Sequence, residues 1–199
     1  MTLTPTDGRR LILASTSPFR RDLLARLDLP FEVRDPAGEE ARLAGEDAPT
    51  LVARLAERKA RAVARREPAS LIIGSDQAAA LDGDILGKPG DHERATAQLL
   101  RAAGRTVTFY TGLCLLDGAS GRIQIAVEPF RVVFRDLTPQ QIDGYLRRER
   151  PYQCAGSFKS EGLGIALFER LEGDDPTGLI GLPLIRLTRM LEAAGVAVL

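Results

Sequence analysis

The sequence predicts an α/β fold, and three observations carry that prediction. Strand-like and helix-like segments alternate along the chain. The strand-like segments are short apolar runs such as Leu11-Ile12-Leu13 and Leu71-Ile72-Ile73, the kind that is buried inside a sheet. The helix-like segments open on recognisable caps, Ser17 before Pro18 and the capping box from Thr138 to Gln141. A chain of 199 residues suffices for one full-sized domain or one domain in two lobes. No internal repeat, low-complexity tract or linker divides it, so a single domain over residues 1–199 is expected.

Taken in order, residues 10–15 read as a strand and 18–27 as a helix. Residues 31–36 read as a strand running into a loop, and 48–67 as a long helix. A buried strand starts at Ser70, and its apolar run ends as Asp76 arrives. Residues 91–103 are helical in pattern. Residues 105–117 and 121–137 are β in composition, joined through Gly118-Ala119-Ser120-Gly121 as a hairpin. A capped helix covers 138–149, and a polar glycine-rich loop, a strand and a turn occupy 157–175. The closing helix spans 182–195, with Pro183 near its start and Gly195 at its end.

Composition excludes several function classes. The 27 Lys and Arg balance 27 Asp and Glu, so there is no basic field for nonspecific nucleic-acid binding. Two cysteines, Cys114 and Cys154, are too few and too far apart to suggest a disulfide framework or metal cluster, and Cys114 sits in an apolar run that reads as core. The first residues lack an apolar signal region and no apolar run approaches membrane-spanning length, so a soluble cytoplasmic protein without a membrane partner is expected. The single histidine, His92, reads as a solvated surface residue, and neither a Ser-His-Asp triad nor a histidine zinc site has supporting neighbours. Chemistry is left to carboxylates, lysines, arginines and a metal held by oxygen ligands.

Six stretches can carry that chemistry. The Ser17-Pro18 helix start follows a strand and exposes backbone amides, and such turns bind phosphate. Arg20 and Arg21 stand in its first turn, where the helix dipole disfavours a cation by roughly 0.3–1 kcal/mol. A bound anion would offset that cost; an ordinary cap with two solvated arginines explains the pattern equally well. Asp76 sits where a strand ends, a place where ligands gather in α/β sheets and where aspartate also serves as a turn residue. Lys88, between Gly87 and Pro89, is presented from a stiff turn. Lys59 shares the helix face of Val52, Leu55, Ala56 and Val63, so it either snorkels to water or reaches an interior anion. Arg54, Glu57, Arg58, Arg61 and Arg65 make up most of the polar side of that helix. The adjacent Glu39 and Glu40 can hold a hard cation or simply be solvated, and the loop with Lys159 and Glu161 can bind or merely flex. Together the set suits a phosphate ester with a divalent cation.

These residues also form a pattern. "LASTSPFRR", "IIGSDQ" followed by "LGKP", and "GLIGLPL" stand in the order of the motifs of the Maf family of nucleoside triphosphate pyrophosphatases. The sequence resembles that family from about Leu11 to Gly195, and within it the subgroup that acts on 7-methyl-GTP, through "FYTGL", "AGSFKSEGLGIALF" and "GDDPTGLIGLPL". The resemblance implies a Maf/ITPase-like fold: a mixed twisted sheet with flanking helices, in two lobes around a deep cleft. It implies hydrolysis between the α- and β-phosphates, a divalent metal such as Mg²⁺ or Mn²⁺, and a possible homodimer. By position, Asp76 is then the proton acceptor, or a metal ligand, and Glu40 a metal-associated acid. Ser15, Ser17, Arg20, Lys59 and Lys88 fall on phosphate-cradling positions, and Phe19, Gln77 and Glu161 on positions linked to base selection. Glu39 stands where aspartate is common, Phe19 where tyrosine is frequent, and Ala78 where a bulkier apolar residue is usual. A family member specific for another base, such as UTP or dTTP, and a nucleotide-binding regulator of cell division are the alternatives.

Overall fold

The computed structural model describes residues 8–38 and 41–199. The Glu39-Glu40 pair therefore lies outside the described residues. Among those described, the chain runs β1 (Arg10–Ala14), α1 (Pro18–Leu24), β2 (Glu32–Arg34), α2 (Ala48–Ala64), β3 (Ser70–Leu81), β4 (Asp84–Leu86) and α3 (His92–Ala102). It continues through β5 (Thr106–Asp117), β6 (Ile123–Phe134), α4 (Pro139–Glu149), β7 (Phe168–Glu172), α5 (Pro176–Ile180) and α6 (Leu184–Ala193). The strands form one mixed sheet in the order β2-β1-β3-β5-β6-β7, with β4 paired to β3. β1 is parallel to β2 and β3; the remaining pairs are antiparallel. The α/β class and the β5–β6 hairpin agree with the sequence reading.

Period-two alternation sorts the first half of the sheet into two faces. Leu11, Leu13, Leu71, Ile73, Leu113 and Leu115 face α1 and α6, packing with Leu23, Leu24, Leu187 and Leu191. Ile12, Ala14, Ile72, Cys114 and Leu116 face α2, against Ala56, Ala60 and Val63. Two glycines let α2 lie almost on the sheet. A β-carbon at Gly74 would stand 2.1 Å from the Ala56 carbonyl oxygen, and one at Gly112 would stand 2.2 Å from that of Val52. The far halves of β3, β5 and β6 carry a second core, in which Phe109, Val132 and Phe134 pack with Leu99 of α3 and Ile142 and Leu146 of α4.

Four local features differ from the sequence reading. β3 does not stop near Asp76; it runs on to Leu81, because β5 pairs with it through Ala80. Its other neighbour, β1, does stop, with Ala14 opposite Gly74. Asp76 is thus mid-strand, at the point where the sheet loses a neighbour and opens. β4 follows a two-residue Asp82-Gly83 turn with φ of 50° and 88°, the positive values that favour Asp-Gly in hairpins. The short α5 is capped by Asp175 with Pro176 after it. His92 is not merely solvated: its ring nitrogens lie 3.1 Å from both Tyr152 Oη and Asp143 Oδ1. Among the described residues, no helix is long and apolar enough to cross a membrane.

Candidate active site

Where β1 ends, a cavity of about 780 Å³ opens between the two packed regions. Its floor is an ion pair. Lys59 Nζ lies 2.5 Å from Asp76 Oδ1, with the two side chains 7% and 12% exposed. The sequence offered Lys59 two fates, water or an interior anion; the structure places it on an interior anion, and that anion is Asp76. The glycines explain how. Ala56 sits against Gly74 and Val52 against Gly112, so Lys59, one turn beyond Ala56, hangs over the strand position next to them. Gly112 is also the residue paired with Asp76 across the β3–β5 ladder.

The first wall comes from the turn after β1. Ser15, 4% exposed, accepts a hydrogen bond from the Ser17 amide at 3.1 Å. Ser17 caps α1, accepting from the Arg20 amide at 3.4 Å. Arg20 turns into the cavity and donates through Nε to the Gly181 carbonyl at 2.8 Å. Arg21 stays outside and pairs with its neighbour Asp22 at 3.2 Å. Phe19, 39% exposed, lines the same wall.

Gly181 belongs to a clamp built by the "DDPTGLIGLP" segment. Asp175, 6% exposed, accepts from the Thr177 amide at 3.0 Å and from the Ile185 amide at 2.7 Å, tying the start of α5 to the start of α6. The carbonyls between them then point at β3 and β5. Gly181 O accepts from Ser75 Oγ at 2.9 Å as well as from Arg20, and its φ of 126° suits only glycine. Gly178 O accepts from Thr111 Oγ1 at 2.8 Å. Gln77 Nε2 lies 2.8 Å from Gly178 O, 3.0 Å from Leu179 O and 3.1 Å from Thr111 Oγ1. Three acceptors fix which way this amide faces. Gln77 lines the cavity, and its nitrogen is committed to α5.

The opposite wall carries Lys88 and Glu161. The Lys88 turn is held by Gln98 Nε2 on Gly87 O at 3.0 Å and by the Gly90 amide on Tyr152 O at 2.9 Å. Gln98 also accepts from Ser157 Oγ at 2.5 Å, which joins that turn to the glycine-rich loop. Glu161 is exposed on this loop and accepts from Ser160 Oγ at 3.1 Å. Cys154 lines the cavity too, and burial pushes its thiol pKa up, which keeps it protonated and poorly nucleophilic.

The fold thus brings Ser15, Ser17, Phe19 and Arg20, then Lys59, Asp76 and Gln77, then Lys88 and Glu161, to one cavity, although they span most of the chain. The expected metal acid Glu40 lies outside the described residues. One cation was missed. Arg58 lines the cavity beside the loop Asp35–Gly38, and its buried Nε has no hydrogen-bond partner among the described residues. A β-carbon at Gly38 would stand 3.5 Å from an Arg58 terminal nitrogen, so this loop folds over the guanidinium. No group of three or more His, Cys, Asp or Glu suited to a metal occurs among the described residues. Asp76 supplies one hard carboxylate, which suits Mg²⁺: that ion needs only one or two protein carboxylates and takes its other ligands from water and phosphate.

Comparison with known proteins follows the same lines. The model of the Maf-like protein family matches residues 10–194. The 7-methyl-GTP pyrophosphatase of Nitrosococcus oceani is 61% identical over 189 residues, covering 95% of each chain. That of Cupriavidus pinatubonensis is 56% identical over 193 residues, covering 97% of each. That of Pseudomonas aeruginosa is 57% identical over 188 residues, covering 94% of this chain and 98% of its own. The solved structure of the Staphylococcus aureus Ham1 protein aligns with a TM-score of 0.47 at 16% identity, over 64% of this chain and 73% of its own. A family match over nearly the full length, with the motif residues gathered at one cavity, leads to a plain conclusion: this chain is a member of the Maf-like protein family.

Proposed function

We propose that this chain hydrolyses 7-methyl-GTP between its α- and β-phosphates, releasing 7-methyl-GMP and pyrophosphate. The observation that carries this reading is the buried Lys59–Asp76 pair at the floor of a cavity edged by further cations. A triphosphate is strongly anionic, and Arg20, Lys59 and Lys88 offset its charge and that of the departing pyrophosphate. Arg20 is pre-oriented by the Gly181 carbonyl, so little side-chain freedom is lost on binding. Asp76 takes the proton of the attacking water. A P–O bond forms to the water oxygen as the bridging P–O bond between the two phosphates breaks, and the electron pair leaves with pyrophosphate.

A divalent cation, Mg²⁺ or Mn²⁺, is part of this proposal; with Asp76 assigned to the proton, Glu40 would be the carboxylate that holds it. When bound it supplies charge neutralisation across the phosphate oxygens. Base selection falls to Phe19, Gln77 and Glu161, which line the same cavity from α1, β3 and the glycine-rich loop. The 7-methylguanine ring is cationic, so an aromatic face and a carboxylate both favour it over guanine. Relatives at 53–61% identity named 7-methyl-GTP pyrophosphatase support the same substrate. The test is pyrophosphate release from a panel of 7-methyl-GTP, GTP, UTP and dTTP with Mg²⁺ or Mn²⁺. The reading expects the highest kcat/KM for 7-methyl-GTP; a higher value for UTP or dTTP overturns it.

A further inference from the structure

The wall that carries Glu161 also carries a lysine, Lys159. A free ammonium there would work against a cationic base. Its partner lies on α4: Lys159 Nζ is 3.2 Å from Glu149 Oε1, with the side chains 30% and 18% exposed. The other oxygen of Glu149 accepts from the Leu163 amide at 2.9 Å. Tyr145, one turn earlier on the same helix, accepts from the Lys159 amide at 3.2 Å. The loop lies directly on the carboxylate, since a β-carbon at Gly162 would stand 2.8 Å from Glu149 Oε2. At its start, Phe158 is fixed among Phe109, Phe134 and Phe168, with ring centroids 4.8–5.6 Å apart. Lys159 is thereby held to Glu149 while Glu161, two residues on, borders the cavity.

We propose that Glu149 is a specificity-determining residue that acts by cancelling the charge of Lys159 on the base side of the cavity. With Lys159 and Glu149 neutralising each other, the glycine-rich loop offers the base the one net negative charge of Glu161, while Lys88 on the same wall comes from a separate turn. This inference rests on the proposed function. It makes a charge-ordered forecast that a purely structural role does not. Glu149→Gln keeps an oxygen for the Leu163 amide and removes the charge, making that wall more positive by one unit. Lys159→Met makes it more negative by one unit. The pair of changes together restores the original balance.

The experiment measures kcat/KM for 7-methyl-GTP and GTP in each variant, with thermal unfolding alongside. One unit charge about 8 Å from the base, at an effective dielectric constant of about 20–40, changes the ratio roughly five- to thirtyfold. The ratio should fall by that factor in Glu149→Gln, rise in Lys159→Met, and return to the wild-type value in the double variant. A wild-type preference that Glu149→Gln leaves unmoved, or that the double variant does not restore, overturns this inference alone. Lys159→Met decides independently if Glu149→Gln does not fold: an unchanged or lower ratio overturns the inference. A wild-type protein with no preference for 7-methyl-GTP overturns the functional reading, and this inference with it.

Discussion

Gly112 stands directly opposite Asp76 in the β3–β5 ladder, and its missing side chain is where the α2 backbone passes. A methyl group there would lie 2.2 Å from the Val52 carbonyl oxygen. Gly112→Ala should therefore push α2 outward and lift Lys59 from Asp76. Overpacking of this kind costs about 1–3 kcal/mol. Chemical denaturation should show that loss, with activity falling further than stability predicts. A variant of normal stability and activity would mean that α2 does not set the Lys59 position.

The Lys59–Asp76 pair makes a second forecast. Lys59→Met strands the carboxylate of a side chain that is 12% exposed, and a charged hydrogen bond is worth about 1.5–3 kcal/mol. The stability loss should be of that order. Asp76→Asn in the same chain removes the stranded charge and should return part of the loss. A double-mutant cycle measures this directly; additive losses would mean that the pair does not couple in solution.

Arg20 and Arg21 are adjacent in sequence and divided by structure. Arg20 is fixed on Gly181 and lines the cavity, whereas Arg21 pairs with Asp22 on the surface. Arg20→Ala should raise KM and lower kcat/KM by about ten- to a hundredfold, as expected for one charged contact to phosphate. Arg21→Ala should change either by less than about twofold. Comparable losses from both would contradict the assignment.

Much of this was legible in the sequence, and the exceptions have physical causes. Short apolar runs and caps marked the strands and helices, since those signals are local. Lys59 was identifiable because a charge on an apolar stripe needs a partner; which partner depended on Gly74 and Gly112, whose close approach is a tertiary fact. β3 was read too short because Asp76 and Gln77 interrupt its apolar run, and only the β5 ladder carries the strand past them. The Asp82-Gly83 turn was a readable hairpin signal for β4 that the sequence reading passed over. Arg58 was placed on the polar side of α2 by periodicity. That side faces water along a lone helix, but here the Asp35–Gly38 loop folds over it and makes it a cavity wall.

Acid should weaken the fold through a different carboxylate. Glu46 accepts from Arg54 Nε at 2.6 Å and from the Leu43 amide at 3.0 Å, tying the segment before α2 to that helix. The Arg54 hydrogen bond, then the Leu43 amide, hold its pKa down to about 2. A depressed folded-state pKa stabilises the protein above the unfolded value, near 4.5, and that contribution fades as pH falls toward about 2. Wild-type melting temperature should decline over that window. Glu46→Gln should be less stable at neutral pH and decline less steeply. Parallel pH profiles for the two proteins would assign the acid sensitivity elsewhere.

The proposed hydrolysis of 7-methyl-GTP turns on Asp76 moving the proton at this cavity. Asp76→Asn is nearly isosteric and cannot accept that proton. Single-turnover pyrophosphate release, with 7-methyl-GTP binding measured in parallel, tests the claim most directly. Asp76→Asn should still bind the nucleotide and release pyrophosphate slower by at least about a hundredfold, the scale of a lost general base. An Asp76→Asn protein that releases pyrophosphate at the wild-type rate would contradict it.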